Sequence, residues 1–190
     1  MIAVDKKLVF EEMDGKPIFY KGYYRALTGG FTAESIMGSS LSQSFVISVL
    51  LRYLYRSLDS RKYEILTNEL GLHLAKGDNL SADIAIYDKQ QQVLDFHSEK
   101  YASVPPKIVI EVDLKADVTD FASPVDYYLL KTNKLLGFGV EKIIWVSTQS
   151  QTVMVAGASE EMKPQSWDTI IQLFPQFFLS VGDLVKQASK

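Results

Sequence analysis

The segment Lys-Ile-Val-Ile-Glu-Val-Asp-Leu at residues 107–114 most constrains the fold, because its β-branched start is nearly continuous. Such a run predicts a strand that is buried on both faces of a sheet. A helix is predicted at residues 124–136, ended by Gly137 and Gly139, and a further strand follows at residues 141–146. A strand, a helix and another strand form a crossover unit, so at least part of the sheet is expected to be parallel.

The rest of the chain supplies further elements for the same sheet. Residues 32–58 place apolar side chains mostly at three- and four-residue steps, which predicts one long amphipathic helix with Thr32 near its N-cap. The packed side of the helix at 124–136 is predicted to be Tyr128, Leu129, Leu135 and Leu136. Shorter strands are predicted at residues 63–66, 71–75, 83–87 and 152–156, the last as the hairpin partner of 141–146.

These elements predict an α/β fold with a mixed central sheet flanked by helices. We expect a single domain over residues 1–190, with an N-terminal arm or hairpin at about residues 1–30, where Asp14-Gly15-Lys16-Pro17 has turn chemistry. The chain has 190 residues, 47% of them hydrophobic and 23% charged, which is an ordinary globular composition. At this length it can bury a substantial core without disulfides.

Charge and composition narrow the classes of function. The chain contains no cysteine, which excludes disulfides, thiol catalysis and zinc knuckles and fits a reducing cytoplasm. The first seven residues lack the apolar core of a signal peptide, and no apolar run is long enough to span a membrane, so we expect a soluble cytoplasmic protein. The net charge is −3, so any nucleic-acid binding needs a local basic patch instead of a global basic field.

A row of charged residues lies in or just after the most apolar strand. Glu111, Asp113 and Lys115 are two positions apart, so strand alternation places them on one face. Asp83 opens the preceding central strand and adds a second carboxylate if the two strands are neighbours. Two carboxylates with waters suit Mg²⁺ or Mn²⁺, and a nearby lysine would stabilise charge on a phosphate. A structural row of ion pairs, with the carboxylates neutralised by lysines, explains the same pattern.

Several segments, taken in order, carry a likeness to a known family. They are Ser81-Ala82-Asp83-Ile84-Ala85-Ile86, then Pro-Pro-Lys-Ile-Val-Ile-Glu-Val at 105–112, then Lys131, and then Gly-Val-Glu-Lys-Ile-Ile-Trp-Val at 139–146. The likeness continues in Phe-Glu-Glu-Met-Asp-Gly-Lys at 10–16 and Phe-Pro-Gln-Phe-Phe-Leu at 174–179. Together these segments resemble the Uma family of restriction-endonuclease-like proteins, which has a PD-(D/E)XK nuclease-like fold.

The resemblance implies metal-binding carboxylates at Asp83 and Glu111, a functional lysine at Lys131, and Glu11 as an outlying acidic partner. The chain departs from the family pattern at three places: Ala82 replaces a proline, Gln43 replaces a histidine, and Asp113-Leu114-Lys115 replaces Leu-Ser-Pro. The last change leaves two candidate lysines. Strand geometry favours Lys115, whereas the resemblance favours Lys131. The candidate catalytic set is therefore Asp83, Glu111, Lys131, Lys115 and Asp113.

Three functions are compatible with this sequence. The first is a Mg²⁺- or Mn²⁺-dependent DNA endonuclease that hydrolyses phosphodiester bonds. Because one site cuts one strand at a time, cleavage of both strands would favour a homodimer. The second is a catalytically inactive binding or scaffold protein on the same fold, which the acidic pI and the altered motif support. The third is an enzyme of another class that uses the acidic strand for acid–base work on a small substrate. Metal-dependent DNA cleavage separates the first from the other two.

Overall fold

A computed structural model describes residues 6–157, 160 and 162–190. In these ranges the α-helices are α1 (Tyr23–Leu27), α2 (Ala33–Met37), α3 (Leu41–Ser57), α4 (Pro124–Phe138) and α5 (Val181–Ala188). The strands are β1 (Val9–Met13), β2 (Lys16–Phe19), β3 (Tyr63–Ala75), β4 (Asp78–Asp88), β5 (Ile108–Val112), β6 (Lys142–Ser147), β7 (Thr152–Gly157), β8 (Gln165–Ser166), β9 (Ile171–Phe174) and β10 (Phe177–Leu179). The predicted N-terminal arm and the segment tested as a signal peptide both include residues 1–5. These five residues lie outside the described residues.

The central sheet is mixed and mostly antiparallel. Within the described residues it has eight strands, with the order β2-β1-β4-β5-β6-β7-β8 and with β3 paired to β4. Strands β5 and β6 run parallel, and α4 connects them, which confirms the predicted crossover. The other neighbouring pairs are antiparallel, including β1 with β2 around the turn at Asp14 and Gly15. Strands β9 and β10 form a separate two-stranded sheet.

Strand alternation divides the core between the two faces of the sheet. One face carries residues such as Ile84 and Ile110, which cluster with Val46, Leu50 and Leu54 of α3. The other face carries residues such as Ala85 and Val109, which cluster with Tyr127 and Leu135 of α4. The α/β fold with a mixed sheet flanked by helices is therefore confirmed, and β5 is buried at every position, as its sequence predicts. Within the described residues, no helix combines the length and the apolar character needed to cross a membrane.

The predicted helix at residues 32–58 is two helices. Helix α2 ends at Met37, and α3 starts only at Leu41, because the Ser40 side chain accepts a hydrogen bond from the Gln43 amide and caps a new N-terminus. The strands predicted at 63–66 and 71–75 are in fact one strand, β3, interrupted by a bulge between Thr67 and Leu70. The amphipathic period is right in α3, but the prediction missed the cap that divides the segment.

Helix α4 starts where it was predicted to start but packs through a different side. Ser123, the residue before Pro124, is the N-cap and forms a capping box with Asp126 in the first turn. Gly139 ends the helix with a φ of 116°. The side chains buried against the sheet are Tyr127, Lys131, Thr132 and Leu135. Leu129, which was predicted to be packed, is 43% exposed. Only Leu135 of the predicted packed set is fully buried, so a lysine takes a core position on this helix.

Candidate functional site

Asp83 and Glu111 lie opposite each other on adjacent antiparallel strands. Ile84 of β4 pairs with Ile110 of β5, so one further step brings Asp83 across from Glu111 on the same face. The Val112 amide donates a 2.8 Å hydrogen bond to Oδ2 of Asp83, which fixes this carboxylate at the end of β5. Both side chains border one small cavity of about 10 Å³ on the face that α4 covers. The two carboxylates are thus gathered in one place, as the sequence predicts.

Lys131 reaches the same cavity from α4. Its Nζ lies 2.6 Å from Oε1 of Glu11 and 2.9 Å from Oε1 of Glu111, and its side chain is only 1% exposed. The contact with Glu111 lies outside hydrogen-bonding geometry, so Oε1 of Glu111 is buried without a hydrogen bond. A buried cation is tolerated where opposite charges surround it, and Glu11 and Glu111 supply those charges.

Glu11 is the anchor of this lysine. Its Oε1 also accepts hydrogen bonds from the amide and the hydroxyl of Ser81, at 2.9 and 3.0 Å. Its Oε2 accepts a 2.8 Å hydrogen bond from the hydroxyl of Tyr127 on α4. These bonds join β1, β4 and α4 through one carboxylate. Glu11, predicted as an outlying acidic partner, therefore lies beside the site, with both of its oxygens occupied by protein donors.

Burial sets the protonation of the two candidate metal carboxylates. It raises the pKa of Glu111 to about 8; Lys131 opposes that shift, whereas Asp83 and Glu11 add to it. It also raises the pKa of Asp83, against the lowering effect of the Val112 amide and Lys115. For Lys131, burial acts to lower the pKa, but Glu11 and Glu111 outweigh it, so the pKa lies above its ordinary value. Lys131 is therefore a permanent cation, whereas Glu111 readily accepts a proton.

Lys115 approaches the site from a turn instead of a strand. Strand β5 ends at Val112, and Asp113 has a φ of 59°, so the alternation expected to align Glu111, Asp113 and Lys115 breaks there. Asp113 instead accepts hydrogen bonds from the amide and the hydroxyl of Thr148, both at 2.7 Å, and secures the turn after β6. The prediction of one shared face for these three residues is wrong, although all three border the small cavity.

The Lys115 ammonium group still lies at the site. It forms an ion pair with Glu69 and lies 3.8 Å from Oδ1 of Asp83, with its side chain 11% exposed. Glu69 belongs to the bulge of β3, where it and Asn68 have φ values of 53° and 70°. Two consecutive left-handed residues other than glycine are costly, and such strain is concentrated at functional sites. Sequence reasoning missed Glu69, although the gap between the two predicted strands marked its position.

The donor set fits a small divalent cation. Mg²⁺ keeps several waters and commonly binds through one or two carboxylates, which Asp83 and Glu111 offer beside a cavity of about one water molecule. The Oε1 of Glu111 already pairs with the Lys131 ammonium group at 2.9 Å, so a cation held here would share this carboxylate with the lysine. Within the described residues, no group of three or more His, Cys, Asp or Glu residues has metal-binding geometry. Any cation held here would therefore depend on these two carboxylates and on water.

The fold and site together describe a mixed α/β protein with a carboxylate and lysine cluster on the α4 face of β4 and β5. Asp83, which was predicted to open its strand, lies in the middle of β4. The chain is similar in structure to a putative nuclease belonging to DUF820 from Anabaena variabilis, with a TM-score of 0.65 and 15% sequence identity. The similarity covers 93% of this chain and 89% of that one. No protein-family model and no curated protein matches the sequence. At this identity the likeness establishes a shared, nuclease-like fold.

Proposed function

We propose that this protein is a Mg²⁺- or Mn²⁺-dependent DNA endonuclease of the Uma type within the PD-(D/E)XK superfamily. The observation that carries the proposal is the convergence of Asp83, Glu111 and Lys131 on one small cavity. Three elements, β4, β5 and α4, contribute one of these residues each, which no local sequence feature requires. The structural likeness to a putative nuclease supports the same class of activity.

The proposed roles follow from burial and position. Asp83 and Glu111 would hold the cation, which when bound would activate a water and stabilise charge on the phosphate. Lys131 lies against Glu111 and is almost fully buried, so its proposed role is to position this carboxylate and balance its charge. Lys115 is more exposed and lies beside Asp83, so we assign it the contact with the substrate phosphate.

A second candidate function is a nuclease-fold binding protein without catalysis. Two observations favour it: the net charge of −3, and the engagement of Lys131 by two carboxylates. In this case the buried cluster would be purely structural. The two functions differ in whether the cluster hydrolyses phosphodiester bonds.

Plasmid cleavage in Mn²⁺ tests the proposal, with Asp83→Asn as the informative variant. An asparagine keeps an acceptor for the Val112 amide but removes the charge that holds a cation. Asp88→Asn is the matched control, because Asp88 lies on the same strand and is 6% exposed against 7% for Asp83. We expect Asp83→Asn to lose at least 100-fold in cleavage rate, as is common when a charge-stabilising group is removed, and Asp88→Asn to retain it.

Two results would contradict this proposal. A folded wild-type protein that leaves both plasmid and single-stranded circular DNA intact in Mn²⁺ and Mg²⁺ would favour the binding protein. Equal cleavage by wild type and Asp83→Asn would place catalysis elsewhere in the chain.

A further inference from the structure

A groove of about 480 Å³ lies between α3 and the bulge of β3 and leads to the candidate site. Its lining includes Asp83 and Lys115, which also border the small cavity with Glu111. Asp83 is more than nine-tenths buried, yet it borders this groove, and its Oδ1 accepts no hydrogen bond within the described residues. The groove therefore ends on a buried acid whose Oδ1 faces the Lys115 ammonium group at 3.8 Å.

Helix α3 lines the groove with a row of hydrogen-bond donors. Ser44, Ser48 and Arg52 follow at four-residue steps, so they lie on one side of the helix over about 12 Å of its axis. All three are exposed. The Arg52 guanidinium forms no ion pair or hydrogen bond within the part of the chain that the structure describes. Hydroxyl and guanidinium groups are common partners of phosphate oxygens.

Apolar side chains lie between these donors. Ile47, Leu51 and Tyr55 line the same groove, and the Tyr55 side chain is 57% exposed. Duplex DNA presents mainly its charged backbone to a surface of this kind, whereas a single strand also presents sugars and the faces of its bases. Aromatic and apolar surfaces interleaved with cations are typical of single-strand binding sites.

The charge in the groove is balanced. Arg52 and Lys115 are the cations of its described lining, and Glu69 and Asp83 are the acids. With a net charge of −3 over the whole chain, phosphate attraction alone gives little affinity. Hydrogen bonds and stacking would then contribute most of the binding, and the salt dependence would be weak.

We infer that this groove binds one unpaired strand of DNA, with Arg52 contacting a phosphate and with the strand leading to Lys115 and Asp83. The inference rests on the proposed nuclease function, because it takes that site as the destination of the strand. It deepens the proposal by naming the substrate as single-stranded DNA, or a duplex that has been locally opened.

Fluorescence anisotropy with a labelled single-stranded oligonucleotide in EDTA measures binding without cleavage. Arg52→Ala is the test, and Arg61→Ala is the control, because Arg61 is 89% exposed, follows the end of α3 and lies outside the groove lining. We expect Arg52→Ala to bind about tenfold more weakly and to lower the slope of log Kd against log salt by about 0.7. Arg61→Ala should bind as the wild type does, and the matching duplex should bind the wild type more weakly than the single strand.

Several outcomes would overturn the inference. Equal effects of Arg52→Ala and Arg61→Ala, a preference for duplex, or a lack of any binding by folded wild type would each do so. Plasmid cleavage that survives in Arg52→Ala alongside unchanged binding would reject the groove and leave the nuclease proposal intact. Conversely, selective loss of binding in Arg52→Ala by a chain that cuts no DNA would retain the groove and reject catalysis.

Discussion

Nζ of Lys131 lies 2.9 Å from Oε1 of Glu111 in a position where the lysine is almost completely removed from solvent. The pair joins α4 to the central strand β5 across the face that also holds Asp83. Because Glu11 holds the same Nζ at 2.6 Å, one cation balances two buried acids from different strands. The cluster is therefore part of the core as well as a candidate site.

Removing this cation should destabilise the fold strongly. Lys131→Met leaves the buried Glu11 carboxylate and the Glu111 side chain without their cation, so we expect a loss of about 3–5 kcal/mol in the free energy of unfolding. The double variant Glu11→Gln/Lys131→Met should lose less, because one of the orphaned charges is also removed. Guanidinium denaturation measures both, with Lys134→Met as a control: Lys134 lies on the same helix but pairs with the exposed Asp14 and the partly buried Asp78. A loss of about 1 kcal/mol or less for Lys131→Met would contradict this account.

The pH dependence of stability should report on Glu111. In the folded state its pKa is raised from 4.5 to about 8, so the native protein holds a proton that the unfolded chain releases. The Glu111 contribution to stability is therefore complete below about pH 4.5 and is lost as the pH rises towards about 8. We expect the free energy of unfolding in EDTA to fall across this window by up to about 1.4 kcal/mol per pH unit.

Glu111→Gln should flatten that dependence, because the amide does not titrate. Glu141→Gln, at an exposed glutamate paired with Lys107, should leave the slope as in the wild type. Chemical denaturation between pH 5 and 8 compares the three proteins. A wild-type stability that rises through this range and a Glu111→Gln profile parallel to it would show that Glu111 is ionised in the fold.

Glu111→Gln should also abolish metal-dependent cleavage while it keeps the fold.

The sequence was most informative about the elements that hold the carboxylates. A continuous apolar run marks β5, proline and glycine delimit α4, and these local signals lead directly to the parallel pair β5 and β6. The position of Asp83 across from Glu111 depends in addition on the register that pairs Ile84 with Ile110, which the long loop between β4 and β5 leaves open in the sequence.

Long-range partners are what the sequence could not provide. Lys131 occupies a core position because its ammonium group pairs with the Glu11 carboxylate, and these residues are 120 positions apart. Without that partner, burial of a lysine is unfavourable, so hydrophobic periodicity selected Tyr128 and Leu129 for the packed side of α4. Similarly, Asp113 leaves the strand because Thr148 donates two hydrogen bonds to it, a contact that strand alternation cannot anticipate.

The two candidate lysines should behave differently on substitution. Lys115→Ala should destabilise the fold less than Lys131 variants do, because its main partner Glu69 is 32% exposed, but it should lose about 100-fold in cleavage rate if Lys115 contacts the phosphate. Lys131 variants should lose stability as well as activity. Single-turnover cleavage rates and thermal melts on the same samples separate these effects. Lys107→Ala is the control, because Lys107 is 17% exposed and pairs with Glu141 instead of the candidate site. If Lys115→Ala cuts DNA like the wild type, the phosphate contact must be reassigned to Lys131.

Glu69 should act on catalysis through Lys115. It holds the Lys115 ammonium group beside Asp83 from a strained bulge, and Tyr20 donates a long 3.5 Å hydrogen bond to its second oxygen. Glu69→Gln weakens this restraint and also removes a negative charge from the groove. We therefore expect kcat to fall about tenfold while KM does not rise, since Lys115 is less well placed but DNA is repelled less. Steady-state cleavage of a labelled oligonucleotide measures both constants.

Glu64→Gln is the matched control, because Glu64 lies on the same strand and forms its ion pair with Lys89 away from the groove. A higher KM with unchanged kcat in Glu69→Gln would instead indicate that Glu69 contributes to substrate binding and does not position Lys115.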